Sequence, residues 1–201
     1  MNIRYVPLDT VFGYYVLENY LTDFELGAVW NEIRCLEILM DDDSEYRTTN
    51  DAEISAPVDN NVPLSYKRNG IWLDEIYKDR KYSPYFRIYK KFLSMFAEIT
   101  KDKILWRLFK YTMNDSTLLA KFSEHGKYSA HLDQCAFTSL FWLCENTALM
   151  NGGDLTFTDF NHTEKFDNNK MVIFYSSCMH RVSPVIYHGK VNRYAFSTFY
   201  L

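Results

Sequence analysis

Glycine and proline are scarce in this chain, 7 and 5 of 201 residues, roughly half the usual share. That excludes a collagen-like chain, a flexible linker and a low-complexity protein. No apolar run is long. The longest, around Ala136 to Cys144, is interrupted by Thr138 and Ser139 and falls far short of the roughly 20 residues a spanning helix needs, so no membrane partner is expected. The start, MNIRYVPLDTVFGYY, carries Asp9 and no continuous apolar stretch, and does not read as a signal peptide. The four cysteines, Cys35, Cys135, Cys144 and Cys178, show neither C-x-x-C spacing nor a short-repeat framework. They read as reduced thiols, which makes an aqueous, reducing, cytoplasmic location the expectation. Like charges are never blocked together, Asp41-Asp42-Asp43 being the longest acidic run, and the net charge is −4. Such a chain lacks the basic stripe that holds a nucleic-acid backbone. There is no internal repeat.

Aromatic residues are abundant instead: 16 Tyr, 15 Phe and 4 Trp. Each buries on the order of 150–250 Å², ample for one core, and residues 1–201 read as a single domain. Strand-like pieces at Ile3 to Val6 and Tyr14 to Leu17 precede a helix capped by Thr22 or Asp23, with Glu25 behind the cap. Its apolar stripe runs Leu26, Val29, Trp30, Ile33 and Leu36. From Asp41 to Gly70 the chain is polar and aperiodic, long for a mere connection, and is a candidate substrate lid. A second helix starts at Ser83-Pro84 and shows Phe86, Tyr89, Phe92, Leu93, Phe96 and Ile99 on one face. Beyond about Ile104 short aromatic and β-branched segments alternate with turn residues: Leu105 to Met113, Thr117 to Phe122, Phe137 to Leu143, Leu155 to Phe157, Met171 to Tyr175 and Tyr194 to Tyr200. The fold class is mainly β within α+β. A double sheet, sandwich or barrel-like, spans 104–201, with helical support and the candidate lid in 1–103 packed on one face.

The chemistry concentrates in His131-Leu132-Asp133. On an extended segment the imidazole and the carboxylate point the same way. His180 follows the strand at Met171 to Tyr175. Two histidines and one carboxylate can occupy one face of an octahedron and leave the other positions open, as a non-haem Fe(II) oxygenase requires. His125, His162 and His188 read as solvated loop residues. Arg193, Ala195 and Ser197 share one face of the last strand, and Tyr194, Phe196 and Thr198 the other. An arginine pointing into an aromatic interior needs an anion, and a carboxylate held by two parallel bonds would satisfy it.

From Gly126 to Tyr200 the chain resembles the C-terminal half of the 2-oxoglutarate/Fe(II) dioxygenase superfamily, in its prolyl-4-hydroxylase-like branch. The matching pieces are Tyr128-Ser129-Ala130-His131-Leu132-Asp133, Gly152-Gly153-Asp154-Leu155-Thr156-Phe157, Met171-Val172-Ile173-Phe174, His180-Arg181-Val182-Ser183-Pro184-Val185, Gly189 and Arg193-Tyr194. The resemblance implies a double-stranded β-helix, or jelly roll, with Fe(II) bound by His131, Asp133 and His180. It implies 2-oxoglutarate as co-substrate, its distal carboxylate on Arg193, with Ser197 adding a hydroxyl and Tyr128 lining the pocket. Ascorbate is a candidate requirement for activity. The implied reaction uses O₂, releases succinate and CO₂, and hydroxylates an unactivated C–H bond of a prolyl residue in a peptide or protein, or of a small amino-acid-like molecule. A carboxylate at Asp133, where a halogenase of this superfamily needs a small residue, argues for hydroxylation. Two departures stand out: Asn168-Asn169 where a glycine often precedes the strand, and Asp154 in place of the commoner glutamate.

Two other readings compete. The nucleic-acid dealkylases of the same superfamily are expected to carry a second arginine where Phe199 stands. A non-catalytic metal-binding jelly-roll module would not need Arg193, and metal-dependent succinate release separates it from an enzyme.

Overall fold

A computed structural model describes residues 1–40, 47–49, 68–112 and 114–201. The strands among them are β1 (Asn2–Pro7), β2 (Gly13–Glu18), β3 (Arg47–Thr49), β4 (Arg68–Trp72), β5 (Asp115–Phe122), β6 (Tyr128–His131) and β7 (Phe137–Cys144). They continue as β8 (Met150–Gly152), β9 (Leu155–Phe157), β10 (His162–Glu164), β11 (Lys170–Tyr175), β12 (His180–Val182), β13 (Val185–Tyr187) and β14 (Arg193–Tyr200). The helices are α1 (Asp23–Leu36), α2 (Leu73–Ile76) and α3 (Pro84–Ile99).

A major antiparallel sheet runs β1-β2-β11-β7-β14-β5-β4-β3, and a minor one β10-β9-β12-β6. This is the double-stranded β-helix expected from the resemblance. The four strands contributed by the N-terminal half extend the major sheet on both sides, so that half supplies more than helical support.

The helices start where the capping residues direct. Thr22 Oγ1 accepts from Glu25 N–H while Glu25 reaches back to Thr22 N–H, a complete capping box. Ser83 caps α3, with Pro84 in its first turn. The buried face of α3 is Tyr85, Phe86, Tyr89, Phe92 and Phe96, whereas Ile99 is exposed. These rings meet the outward residues of the major sheet: Tyr85 stacks on Phe196 at 4.1 Å, and Tyr89 lies 6.2 Å from Tyr200. Period two on β14 therefore sends Tyr194, Phe196, Thr198 and Tyr200 to the helices and Arg193, Ala195, Ser197 and Phe199 into the space between the sheets.

One expected strand is not a strand. Leu105–Tyr111 forms a 3-10 turn, because Trp106 and Phe109, three apart, are buried together while Arg107 and Leu108 are exposed. Trp106 fills the space between Tyr15 (4.9 Å) and Tyr175 (4.7 Å). Asn169 stands at φ 55°, a left-handed position that asparagine tolerates next best to glycine, and its side chain bonds both Leu21 N–H and Leu21 O at 2.8 Å. The asparagine thus does a glycine's backbone work and ties β11 to the entry of α1. Of the aperiodic stretch from Asp41 to Gly70, 47–49 form β3 and 68–70 begin β4, and 47–49 pair antiparallel with 69–71 at the sheet edge. The remainder, and with it the lid expectation, lies outside the described residues. No helix among the described residues is long and apolar enough to cross a membrane.

Candidate functional site

The minor sheet brings the two histidines together. His131 on β6 is the register partner of His180 on β12, and their rings lie 4.3 Å apart. Asp133 arrives differently. β6 ends at His131, so Asp133 sits in the irregular connection to β7 rather than on an extended strand. Its Oδ1 is 3.4 Å from His131 Nε2 and its Oδ2 3.5 Å from His180 Nε2. One ligand atom from each of the three lies within 4.8 Å of the others.

The tautomers suit a cation. His131 Nδ1 is 2.8 Å from Ser129 O and His180 Nδ1 is 3.0 Å from Cys178 O. A carbonyl only accepts, so both Nδ1 atoms carry a hydrogen, and in the neutral ring each Nε2 lone pair faces the centre. Burial pushes His180 down to about 4, against the pull of Asp133, which keeps it neutral and able to ligate near neutral pH. Burial alone would raise Asp133; hydrogen bonding with His131, the nearby His180 and Thr138 outweigh it and hold the carboxyl below its usual range. The donor set of two neutral imidazoles and one carboxylate fits a divalent metal with open positions.

The three groups line a cavity of about 250 Å³ between the sheets. Arg193 lines the same cavity and is 1% exposed. It pairs with no carboxylate among the described residues. Nη2 donates to Gly153 O at 3.3 Å, while Nε and Nη1 have no partner among the described residues. The guanidinium lies over Phe122 at 4.0 Å and over Phe166 at 5.0 Å, and burial lowers its pKa to about 10. Asp154, the neighbour of Gly153, is spent on Lys165 and on Phe166 N–H. An unpaired buried cation opening on a cavity calls for an anionic ligand. Gly153 makes the arrangement possible: at φ 75° a Cβ there would come within 2.8 Å of Arg193 Nε.

Residues 117–201 match the family profile of the 2OG-Fe(II) oxygenase superfamily. That match covers the C-terminal part of the chain, from β5 onward. The match supports a 2-oxoglutarate-dependent dioxygenase, and the fold is prolyl-4-hydroxylase-like. A Pseudomonas putida prolyl-4-hydroxylase superposes with a TM-score of 0.59 at 15% identity, over 94% of this chain and 92% of that one. A Trichoplax adhaerens prolyl hydroxylase, in complex with a hypoxia inducible factor oxygen degradation domain peptide, gives 0.58 at 16%, over 96% and 85%. A truncated viral collagen prolyl hydroxylase from Paramecium Bursaria Chlorella virus-1 gives 0.51 at 12%, over 94% and 90%. At these identities the likeness is one of fold. No curated protein matches the sequence.

The remaining expected residues of the oxygenase fall as follows. Ser197 lines the cavity on the face of Arg193, and Tyr128 lines it beside His131, with ring centroids 5.3 Å apart. Phe199, where a dealkylase would carry arginine, also lines it. Cys135 lines it too. Cys178 lends its carbonyl to His180, but its buried thiol, pushed up to about 12 by burial, is not part of the wall. His125 and His188 are exposed, as expected for loops. His162 is not a solvated loop residue: it sits on β10, its Nε2 2.7 Å from Tyr14 Oη. Two contributors went unnoticed in the sequence, Thr138 and Ser176. Thr138 Oγ1 donates to Asp133 Oδ2 at 2.6 Å and lies 2.9 Å from Ser176 Oγ. No motif announces them: Thr138 follows Asp133 across an irregular connection, and Ser176 reaches the pair from the end of β11.

Proposed function

We propose that this oxygenase hydroxylates an unactivated C–H bond of a prolyl residue or a small amino-acid-like substrate, releasing succinate and CO₂, with His131, Asp133 and His180 holding Fe(II). Arg193 grips the distal carboxylate of 2-oxoglutarate, Ser197 adds a hydroxyl beside it, and Tyr128 borders the pocket. The observation that carries this reading is Arg193: a buried guanidinium with two unpaired nitrogens in the cavity of the triad. When bound, Fe(II) and 2-oxoglutarate supply oxidative decarboxylation of the keto acid coupled to oxygen insertion into a neighbouring C–H bond.

The chain's own residues do the rest. Two neutral Nε2 atoms and one carboxylate leave a divalent ion with positive charge and open positions. The forked donors of Arg193 fix the co-substrate end on, which a lysine point charge cannot do. Leu118, Leu140 and Trp142 wall the cavity and exclude water. The prolyl element of the proposal draws on the prolyl hydroxylases that share the fold. The uncharged Phe199 and the net charge of −4 weigh against a nucleic-acid substrate. Free cysteines at all four positions suit a reducing, cytoplasmic setting.

The test is incubation with Fe(II), 2-oxoglutarate, O₂ and ascorbate against a panel of proline-containing peptides and amino-acid-like metabolites, read by succinate release and by gain of one oxygen atom. His131→Ala, Asp133→Ala and His180→Ala should each lose bound Fe(II) and succinate production while remaining folded. Wild-type turnover in any one of them removes that residue from the centre. Metal binding without succinate release by the wild type would leave a binding module instead.

A further inference from the structure

The three ligating groups are not held by the same sheet. His131 and His180 stand on paired strands of the minor sheet, where the hydrogen-bond ladder fixes the backbone beneath them. Asp133 has no ladder, since the chain from Leu132 to Ala136 is irregular. A carboxylate on a loop reaches a defined position only if side chains hold it.

Three contacts do so, and all come from the major-sheet side. Asp133 N–H donates to Ser176 O at 3.3 Å, just past the end of β11. Thr138, on β7, donates from Oγ1 to Asp133 Oδ2 at 2.6 Å. Ser176 Oγ lies 2.9 Å from Thr138 Oγ1. The direction of each bond follows from the chemistry. An ionised carboxylate only accepts, so the single hydroxyl hydrogen of Thr138 is committed to Asp133. Thr138 must then accept from Ser176. Cys135 Sγ lies 2.9 Å from Ser176 Oγ and donates to Phe137 O at 3.2 Å. Thr138 and Ser176 are both fully buried, so water does not compete for these bonds.

The consequence falls on the two carboxylate oxygens. Both oxygens face the histidines, Oδ1 at 3.4 Å from His131 Nε2 and Oδ2 at 3.5 Å from His180 Nε2, but only Oδ2 also accepts a hydrogen bond from Thr138. We propose that Thr138, backed by Ser176, is a positioning residue that presents Asp133 as a one-oxygen ligand and so keeps one more metal position open than a two-oxygen carboxylate would. The inference rests on the metal reading of His131, Asp133 and His180. Thr138 touches no substrate; it acts through Asp133, as the joint between the two sheets at the centre.

The test uses Co(II), whose visible absorption reports coordination number, and Fe(II) titrated anaerobically by calorimetry. Thr138→Val keeps the shape and removes the hydroxyl, Thr138→Ala removes it without crowding, and Thr138→Ser keeps it. Loss of the bond should weaken Fe(II) and Co(II) binding by roughly 10- to 100-fold in the valine and alanine variants and change the Co(II) band. Thr138→Ser should recover affinity to within about threefold and restore the band. Ser176→Ala should fall between. A merely structural role would lower the unfolding temperature of the metal-free protein and leave the Co(II) band as in the wild type, and that result overturns the proposal. So does wild-type affinity in either the valine or the alanine variant. If the wild type binds neither metal, the metal reading fails first and takes this inference with it.

Discussion

Glu164 and Arg193 are both charged groups in the interior, 5% and 1% exposed, and their neighbourhoods differ in one respect. Around Glu164 every need is met internally. Arg4 Nη2 donates to its two oxygens at 2.8 and 2.9 Å, Tyr14 Oη donates at 2.8 Å, and Lys170 pairs with Oε1. Burial would raise its pKa, but hydrogen bonds from Lys170 and Tyr14, with the charges of Lys170 and Arg4, hold it below the usual range. Arg193 has one long bond to a carbonyl, two aromatic faces and two nitrogens without a partner among the described residues. The first cluster closes the molecule, tying β1, β2, β10 and β11 together. The second is complete only with a ligand. A buried charge satisfied from within marks structure, and one left open toward a cavity marks a binding site.

The largest effect expected from this contrast is on stability. Glu164→Gln leaves Lys170 buried without a full counter-charge and should cost about 3 kcal/mol in urea unfolding, with the 2-oxoglutarate KM unchanged. A large KM change would dissolve the contrast. Because the folded pKa of Glu164 is depressed, its contribution is present above the unfolded carboxyl value, about 4.3, and is lost as pH falls through the folded value. The stability gap between wild type and Glu164→Gln should therefore narrow in acid, and a gap that widens would contradict the sign.

Arg193→Lys should do the reverse. It loses the fork and should raise the 2-oxoglutarate KM roughly 30-fold, about 2 kcal/mol, with little change in unfolding. A KM within about threefold of wild type, some 0.6 kcal/mol, would take Arg193 out of the co-substrate site. The smallest effect is the most discriminating. Arg193→Met exchanges an unpaired buried charge for an apolar chain and should stabilise the ligand-free protein by about 1–2 kcal/mol. At the same time 2-oxoglutarate should cease to raise its melting temperature. Destabilisation on this exchange would mean that the guanidinium is satisfied without a ligand.

Local chemistry was legible wherever the cause is local. Thr22 and Glu25 specify one helix start and Ser83-Pro84 another, and period two on β14 separates Arg193 and Ser197 from Tyr194 and Phe196. The spacing of His131, Asp133 and His180, with Arg193 beyond them, pointed to the centre that forms. The failures have one local and one remote cause. The aromatic run at Leu105–Tyr111 has strand composition, yet burying Trp106 and Phe109 together selects a turn of period three. His162 looked like a loop residue because its partner, Tyr14, is remote in sequence.

By itself, then, the order of residues determined the caps, the strand faces and the identity of the groups that can ligate a metal or grip a carboxylate, since these depend on neighbours a few positions away. Tertiary structure alone decided which charges would be paired. Whether Glu164 meets Lys170 and Arg4, whether Arg193 meets a carboxylate among the described residues, and whether Ser176 backs Thr138 depend on strands from distant parts of the chain crossing at one place. Electrostatic and hydrogen-bond energies fall steeply with distance, so sequence spacing carries no record of them.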